Sequence, residues 1–218
     1  MIVEERISAY INSLSKELPE ELIKLEEEAH DNKVPIIKKE TQGLLHFLIK
    51  TQKVKKILEV GTAIGFSALF MSKYSSDDCQ ITSIERGEKY LIQARKNLAD
   101  TRYPYKDKIS LIEGDAVDVL QDLVDKGESY DFIFLDAAKG QYINFLPNLL
   151  KLLDKSCLLV TDNVLQDGTV VNSRYAIRRR DRTIHSRMRE YLYTITHMEE
   201  LESIILPVGD GVSISYKI

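Results

Sequence analysis

The chain has 218 residues, of which 44% are hydrophobic and 29% charged, and its formal net charge is −4. This length suits one globular domain, and the mild charge argues against a molecule that binds nucleic acid over its whole surface. No apolar run reaches the roughly 18 residues of a membrane span, and the acidic N-terminus is unlike a signal peptide. Cys79 and Cys157 lie far apart without a CxxC spacing, which favours free thiols in a reducing compartment. We therefore expect a cytoplasmic protein with no membrane association.

The first quarter of the chain has the spacing of amphipathic helices. Helices are predicted to begin near Ile2 and Pro19, and a third is predicted over about 40–51. From residue 55 the pattern changes to short apolar runs that alternate with helical stretches, which predicts a parallel sheet covered on both faces. The runs lie at 55–61, 79–85, 109–115, 130–136 and 157–163, and the helices at 65–74, 87–100, 116–126 and 139–153.

The end of the chain differs from this alternation. After a long helical segment at about 176–197, apolar runs at 202–208 and 211–217 flank Gly209 and Asp210, which predicts a closing antiparallel hairpin. We predict one domain over 1–218 of the α/β class, with a doubly wound, Rossmann-like sheet. Its strands are mostly parallel, residues 1–52 form a helical cover, and residues 53–218 form the core with an arginine-rich helical insert at about 174–197.

A glycine-containing loop follows the first predicted strand. Glu59 ends that strand, and Gly61 and Gly65 follow with a GxxxG spacing. The middle glycine of a dinucleotide fingerprint and the GK[ST] of a phosphate loop are absent, so a cofactor without a pyrophosphate is favoured. The loop alone is weak evidence for a ligand, because a tight turn that binds nothing is the alternative.

Acidic residues end the next two predicted strands. Glu85 stands where a carboxylate can accept hydrogen bonds from ribose hydroxyls, and Asp115 with Ala116 stands where an acid can accept from an adenine amino group. Ligands of open α/β sheets bind at the carboxyl ends of the strands. Together with the glycine loop, these residues predict an adenosine site.

A second acidic cluster is predicted at the ends of the fourth and fifth strands. Asp136 ends one strand, and Asp162 and Asn163 end the other. Parallel neighbours lie roughly 4.8 Å apart, so these oxygen ligands can converge on a hard cation such as Mg²⁺, with Mn²⁺ or Ca²⁺ as alternatives. Separate capping roles are the competing interpretation. Lys139, three residues after Asp136, can accept or steer a substrate proton, although a plain surface lysine fits its position nearly as well.

These motifs resemble those of the metal-dependent O-methyltransferases related to catechol and caffeoyl-CoA O-methyltransferases. The resemblance extends over nearly the whole chain, and the matching segments are EVGTAIGFS at 59–67, IE at 84–85, GDA at 114–116, LDAAKGQY at 135–142, TDNVL at 161–165 and LPVGDG at 206–211. It implies the Rossmann-like fold of S-adenosylmethionine-dependent methyltransferases, an in-line attack of a hydroxyl oxygen on the sulfonium methyl, and a homodimer.

The resemblance also implies a role for individual residues. The methionine part of the cofactor would contact Ile37, Gly61, Ser67 and Asp136, with Glu59 in the same motif; Glu85 would bind the ribose, and Asp115 and Ala116 the adenine. Asp136, Asp162 and Asn163 would bind the metal, and Lys139 would be the catalytic base beside Asp136.

Arginines concentrate in the predicted insert. Seven of the eleven arginines of the chain lie within 174–189. On a helix they would form a basic stripe of Arg178, Arg182, His185 and Arg189, separate from an apolar stripe of Ile177, Ile184, Met188, Tyr191 and Ile195. Such a stripe in an acidic protein indicates local phosphate binding, although a solvated charged face is an alternative.

The insert suggests the substrate. Together with AAKGQY and DNVL it is similar to the bacterial tRNA 5-hydroxyuridine methyltransferases, which implies that tRNA is the partner and that the wobble base becomes 5-methoxyuridine. The arginines expected to contact RNA are Arg178, Arg179, Arg180, Arg182 and Arg189. A small-molecule catechol or phenylpropanoid O-methyltransferase is the alternative, and a non-enzymatic binding module is a third interpretation.

Overall fold

The computed structural model describes residues 2–218, and three helices precede the sheet. They are α1 (Glu5–Ser13), α2 (Glu20–Asp31) and α3 (Lys39–Gln52). Pro19 is the N-cap of α2. Proline suits the start of a helix, because amide hydrogens there have no acceptor within the helix and proline has no amide hydrogen to leave unpaired. Helices α2 and α3 bury leucine and isoleucine side chains, whereas α1 buries none. The predicted helical cover is therefore anchored to the core by its second and third helices.

Seven strands form one sheet in the order β3-β2-β1-β4-β5-β7-β6. The first five are parallel to one another, and β7 is antiparallel to both β5 and β6. This confirms the predicted mostly parallel, Rossmann-like sheet with a closing antiparallel hairpin. The strands are β1 (Lys56–Val60), β2 (Gln80–Glu85), β3 (Ile109–Glu113), β4 (Tyr130–Leu135), β5 (Leu153–Thr161), β6 (Leu201–Leu206) and β7 (Val212–Lys217), and the helices between them are α4 (Phe66–Tyr74), α5 (Glu88–Ala99), α6 (Ala116–Asp125) and α7 (Tyr142–Leu152).

Both faces of the sheet are buried, which explains why the parallel strands are apolar without alternation. Along β4, Phe132 and Phe134 belong to the cluster on the side of α2, α3 and α4. Ile133 and Leu135 belong to the cluster on the opposite side, with α6 and α7. Each strand residue is thus buried whichever way its side chain points.

The strand order reverses beside β1, and this reversal positions the site. β1 pairs with β2 on one edge and β4 on the other, with Val60 opposite both Ile84 and Leu135. Leu135 in turn lies opposite Thr161 of β5. The residues that directly follow these strands therefore meet at one edge of the sheet, in the crevice where open α/β sheets bind ligands.

The predicted arginine helix begins later than expected. Helix α8 spans Arg182–His197, and residues 174–181 instead form two short 3₁₀ turns, Arg174–Ala176 and Arg179–Asp181. Ile177 is buried between the two turns, and the guanidinium of Arg182 donates to its carbonyl at 3.1 Å. Burial of this one side chain makes the backbone fold back on itself, which a continuous helix from residue 176 would not allow.

The predicted basic stripe on that helix is consequently wrong. Arg178 precedes the helix, and His185 is buried with its Nε2 3.1 Å from the Asn172 carbonyl oxygen. The apolar face is correct in its centre, where Met188, Tyr191 and Ile195 are fully buried. Within residues 2–218, no helix combines the length and the apolar composition needed to cross a membrane.

Candidate functional site

A cavity of about 820 Å³ opens at the carboxyl ends of the parallel strands. Its walls come from the segment 35–38, the loop after β1, the residues after β2 and β3, and the tips of β4 and β5. Most of the residues predicted for the cofactor and the chemistry line it: Ile37, Gly61, Ser67, Glu85, Asp115, Ala116, Asp136, Lys139 and Asn163. Residues that the sequence predicted in six separate parts of the chain thus line one cavity.

The loop after β1 is in direct backbone contact with the tip of β4. Gly61 has a φ of +105°, and a Cβ built on it would lie 1.9 Å from the carbonyl oxygen of Asp136. Its amide donates to the Ile84 carbonyl at 3.0 Å, so the loop is also fixed to β2. Only glycine fits here, because a side chain would displace the backbone that carries Asp136.

Glu85 holds the loops around the cavity in place. Its Oε2 accepts from the Ala63 amide at 2.9 Å, and its Oε1 accepts from the Arg86 amide at 2.9 Å and the Gly87 amide at 2.7 Å. A carboxylate has roughly four acceptor positions, two on each oxygen. Because Oε2 accepts from one amide, its second acceptor position is open toward a ligand. The carboxylate that was predicted to bind a ribose is therefore already oriented by three amides.

Asp115 has a structural role that the sequence did not reveal. Its Oδ1 accepts from the Val117 amide at 3.0 Å and caps α6, and its Oδ2 accepts from Arg86 at 2.7 Å. The helix amide and the arginine lower the pKa of this carboxyl below its usual value. Arg86 also lines the cavity but was not predicted; its position directly after Glu85 was the available signal.

Glu59 lies beneath the cavity and does not line it, so its predicted direct contact with the cofactor is wrong. The side chain is fully buried and accepts a hydrogen bond from the Ser83 hydroxyl, which in turn lies 2.5 Å from the Thr62 hydroxyl. Burial raises the pKa of Glu59 to about 7, against the opposing effect of the hydroxyls of Ser67 and Ser83. Glu59 therefore supports the loop from below.

Of the two acids at the tips of β4 and β5, Asp162 is buried and Asp136 is half-buried. Burial raises the pKa of Asp136 to about 6 even though the charge of Lys139 opposes it. Burial and then the charge of Asp136 raise the pKa of Asp162 to about 7. Asp162 is 1% exposed, and its Oδ1 accepts from the Asn163 amide at 2.7 Å. The site thus holds two carboxylates that a nearby positive charge would stabilise.

This donor set fits a hard cation. Asp136 and Asn163 line the cavity, Asp162 lies directly behind them, and Asn163 takes a left-handed conformation with φ of +60°. Within residues 2–218 no three His, Cys, Asp or Glu side chains are grouped as a metal site; the set here has two carboxylates and one amide. Oxygen ligands of this kind suit Mg²⁺, Mn²⁺ or Ca²⁺.

Lys139 lies in a short 3₁₀ turn, Lys139–Gln141, and lines the cavity beside the two acids. Helix α8 fixes this turn, because Arg187 donates to the Gly140 carbonyl at 2.9 Å. A Cβ on Gly140 would also lie 3.5 Å from Ile184. Arg187 was counted among the clustered arginines but not predicted at the site, and nothing in its spacing distinguished it from the others.

The arginines predicted to contact RNA divide into two groups. Arg178, Arg179 and Arg180 are exposed, and among the described residues only Arg180 of these three has an acidic partner, Asp181, at 3.6 Å. Arg182 and Arg189 instead donate to backbone carbonyls, at Ile177 and Val170 respectively. Arg189 is nevertheless exposed as well, so the arginines that are both exposed and without a bond to a backbone carbonyl are those of the turn before α8.

Known proteins resemble this chain over nearly all of it. A family model described as O-methyltransferase matches residues 5–218. The caffeoyl-CoA O-methyltransferase of Stellaria longipes is 32% identical over 182 residues, which is 78% of this chain and 71% of that protein. A candidate caffeoyl-CoA O-methyltransferase from Staphylococcus aureus has a crystal structure with a TM-score of 0.84 and 33% identity, covering 98% of this chain and 97% of that one.

The fold is shared with an enzyme crystallised with a cofactor product. The O-methyltransferase from Bacillus cereus, in complex with SAH, has a TM-score of 0.85 and 22% identity, and the match covers 98% of this chain and 97% of that chain. SAH is what remains of S-adenosylmethionine after methyl transfer. The chain therefore belongs to the O-methyltransferase family and is an S-adenosylmethionine-dependent O-methyltransferase of the type that includes the caffeoyl-CoA and catechol enzymes.

Proposed function

We propose that this enzyme methylates the 5-hydroxyl of the wobble uridine in tRNA to give 5-methoxyuridine, with a divalent cation bound at Asp136, Asp162 and Asn163. One observation carries the choice of substrate. The exposed arginines lie directly before α8, and α8 itself contacts the 3₁₀ turn of Lys139, where Arg187 donates to the Gly140 carbonyl. A phosphate backbone held by those arginines would pass beside the mouth of the cavity.

Two bound groups supply chemistry that side chains lack. S-adenosylmethionine supplies the methyl group as an electrophilic sulfonium. The cation, Mg²⁺ or alternatively Mn²⁺ or Ca²⁺, would favour the ionised form of a hydroxyl that it binds. A hydroxyl next to a carbonyl, as in 5-hydroxyuridine, has the same paired oxygens as a catechol.

The residues of the chain bind and orient the reactants. The loop at Gly61 and the side chains of Ile37 and Ser67 hold the methionine part of the cofactor, and Glu85 binds the ribose. Lys139 is placed to take up or steer the proton that leaves the substrate hydroxyl. The methyl group then passes from sulfur to oxygen while the walls of the cavity hold both in line.

The charge of the arginine turn supports a polyanionic substrate. Arg178 and Arg179 have no acidic partner within residues 2–218, and the chain as a whole carries a net charge of −4. An uncompensated basic patch on an acidic protein attracts phosphates locally and not over the whole surface. Tyr175 stands in the same segment and is 89% exposed, which offers a flat ring against which a base can stack.

A small-molecule catechol or phenylpropanoid is the second candidate substrate. It is favoured by the names of the relatives, which act on caffeoyl-CoA or catechol. The cavity volume of about 820 Å³ lies within the range of pockets that enclose small ligands. The acid pair and Lys139 would perform the same chemistry on either substrate.

Methyl transfer from radiolabelled S-adenosylmethionine separates the two candidates. The acceptors are bulk tRNA from a strain that lacks this gene and a simple catechol, each assayed with Mg²⁺. We expect label in tRNA, at a 5-hydroxyuridine position, and little transfer to catechol. The Lys139→Met variant should lose about 10²-fold or more in rate with the preferred acceptor.

Rapid catechol turnover with unlabelled tRNA would overturn the tRNA proposal and favour the second candidate. Transfer that proceeds at full rate after complete removal of divalent cations would overturn the metal proposal separately.

The cytoplasmic location and the homodimer belong to the same proposal. Both cysteines of the chain are free thiols, as expected for a reducing compartment.

A further inference from the structure

An ion pair joins the helical cover to the C-terminal hairpin across the cavity. The ammonium of Lys38 lies 2.5 Å from Asp210 Oδ1 and 3.8 Å from Asp167 Oδ1. Lys38 ends the segment 35–38, which we call the strap, and Asp210 lies in the turn between β6 and β7. Both residues line the cavity, so the pair connects two of its walls.

Besides this ion pair, the strap is bound to α3 through its backbone, because Lys38 is the N-cap residue of α3 and its carbonyl accepts from the Gln42 amide at 2.9 Å. The side chain of Gln42 donates to the Ile37 carbonyl at 3.1 Å and to Glu26 at 2.9 Å, which fixes the strap to α2 and α3. Toward the cavity, the strap presents Pro35, Ile36 and Ile37 as apolar wall. The end of the strap that faces the acids is held by the Lys38 ammonium.

The hairpin turn is rigid on its own side. The carbonyl of Gly211 accepts from the Val164 amide at 2.9 Å, and the carbonyl of Asp210 accepts from the Leu165 amide at 3.0 Å. A Cβ on Gly209 would lie 2.8 Å from the Thr41 hydroxyl. The turn is therefore wedged between the N-terminus of α3 and the segment that follows Asn163.

Asp210 is also part of the electrostatics of the site. Its charge raises the pKa of both Asp136 and Asp162. Its own side chain is 17% exposed, whereas that of Lys38 is 43% exposed. Lys38 thus compensates the negative charge of Asp210. The acid pair of Asp136 and Asp162 stays available for a cation.

We propose that the Lys38–Asp210 pair is a clasp that holds the strap closed over the methyl-donor part of the cavity, and that both are positioning residues for S-adenosylmethionine. Neither residue touches the reacting atoms in this role. Opening the clasp removes the contact between the strap and the hairpin turn, so these two walls of the cavity are less ordered and have to be ordered when the cofactor binds. The clasp acts on cofactor affinity, whichever hydroxyl is methylated.

Calorimetric titration of SAH into the purified enzyme tests this proposal without any acceptor. Lys38→Met keeps the aliphatic stem and removes the charge, and we expect the Kd for SAH to rise about fivefold, in line with a half-exposed ion pair. Lys38→Arg should restore the wild-type Kd. The matched control is Lys55→Met, which breaks the exposed 2.6 Å pair with Asp78 at the opposite end of the strands and should leave the Kd unchanged.

A second variant separates a clasp from a general structural effect. Asp210→Asn should weaken SAH binding by itself, and adding Lys38→Met to it should produce no further loss, because the two changes remove the same interaction. With the preferred acceptor, the KM for S-adenosylmethionine should rise while kcat changes less than about twofold. An unchanged Kd for Lys38→Met, or a full additional loss in the double variant, would overturn the proposal.

Discussion

The tips of β4 and β5 and the arginine turn before α8 are built in opposite ways. Asp162 is 1% exposed and fixed by a backbone amide at 2.7 Å. Arg178 and Arg179 are exposed at the start of a short 3₁₀ turn, and the buried side chain beside them is Ile177, which precedes the turn. The chemistry of the enzyme is thus supported by the core, whereas the groups proposed to select the substrate are supported by the surface.

The difference predicts which changes abolish methyl transfer and which only redirect it. A substitution at a strand tip removes a group whose position the sheet determines, and no neighbouring side chain can replace it. A substitution in the arginine turn removes charge and leaves the cavity intact. The following predictions use this contrast, from the largest expected effect to the smallest.

Asp162→Ala should lower the rate of methyl transfer by about 10³-fold, because the cation loses a ligand worth several kcal/mol in the transition state. Affinity for SAH should change little, since Asp162 does not line the cofactor cavity. The matched control is Asp154→Ala, at the exposed start of the same strand. Metal-stimulated turnover that survives in Asp162→Ala would contradict the assignment of the metal ligands.

Reversing the charge of Arg178, Arg179 and Arg180 together to Glu should weaken tRNA binding by roughly 10²-fold at low salt and flatten its dependence on salt concentration. The control is the simultaneous change of Lys126, Lys151 and Lys155 to Glu, which alters the net charge equally at the opposite, strand-start end of the sheet. Filter binding across a salt series measures both. Equal loss in both triple variants would show that only net charge matters.

Glu59→Gln should change the pH profile of stability and leave the chemistry in place. The pKa of Glu59 is raised from 4.5 to about 7 in the folded protein, so the folded state retains a proton that the unfolded state releases between these values. This carboxyl therefore opposes folding increasingly as pH rises from about 5 to 7, by on the order of a few kcal/mol. The melting temperature of Glu59→Gln relative to the wild type should rise over this range; parallel profiles would contradict the raised pKa.

The strand tips were predictable from sequence, and the arginine turn was not. Apolar runs such as Phe132–Leu135 predict both the strand and the residue that follows it, because a strand buried on both faces is apolar throughout and the first polar residue marks its end. Periodicity identified the buried centre of α8 for the same reason. It failed at Arg178, where a single buried residue, Ile177, decides the backbone and its neighbours carry no periodic signal.

Contacts between distant segments were beyond sequence reasoning as well. Lys38 and Asp210 are separated by 172 positions, and neither ends a predicted parallel strand. Glu59 was predicted to contact the cofactor because it belongs to the motif of the loop after β1. Successive side chains of a strand point to opposite faces, however, so not every residue of the motif faces a ligand at the end of the strand. Asp115 was recognised as a site residue, but its partner Arg86 required the coordinates.

The contact between Gly61 and the carbonyl of Asp136 has a consequence for protein engineering. A Cβ at position 61 would lie 1.9 Å from that oxygen. A side chain at this position would therefore distort both the loop after β1 and the tip of β4. Cofactor analogues that carry alkyl groups larger than methyl need extra volume. That volume has to be made at other lining residues with side chains that can be shortened, such as Ile36 or Tyr90.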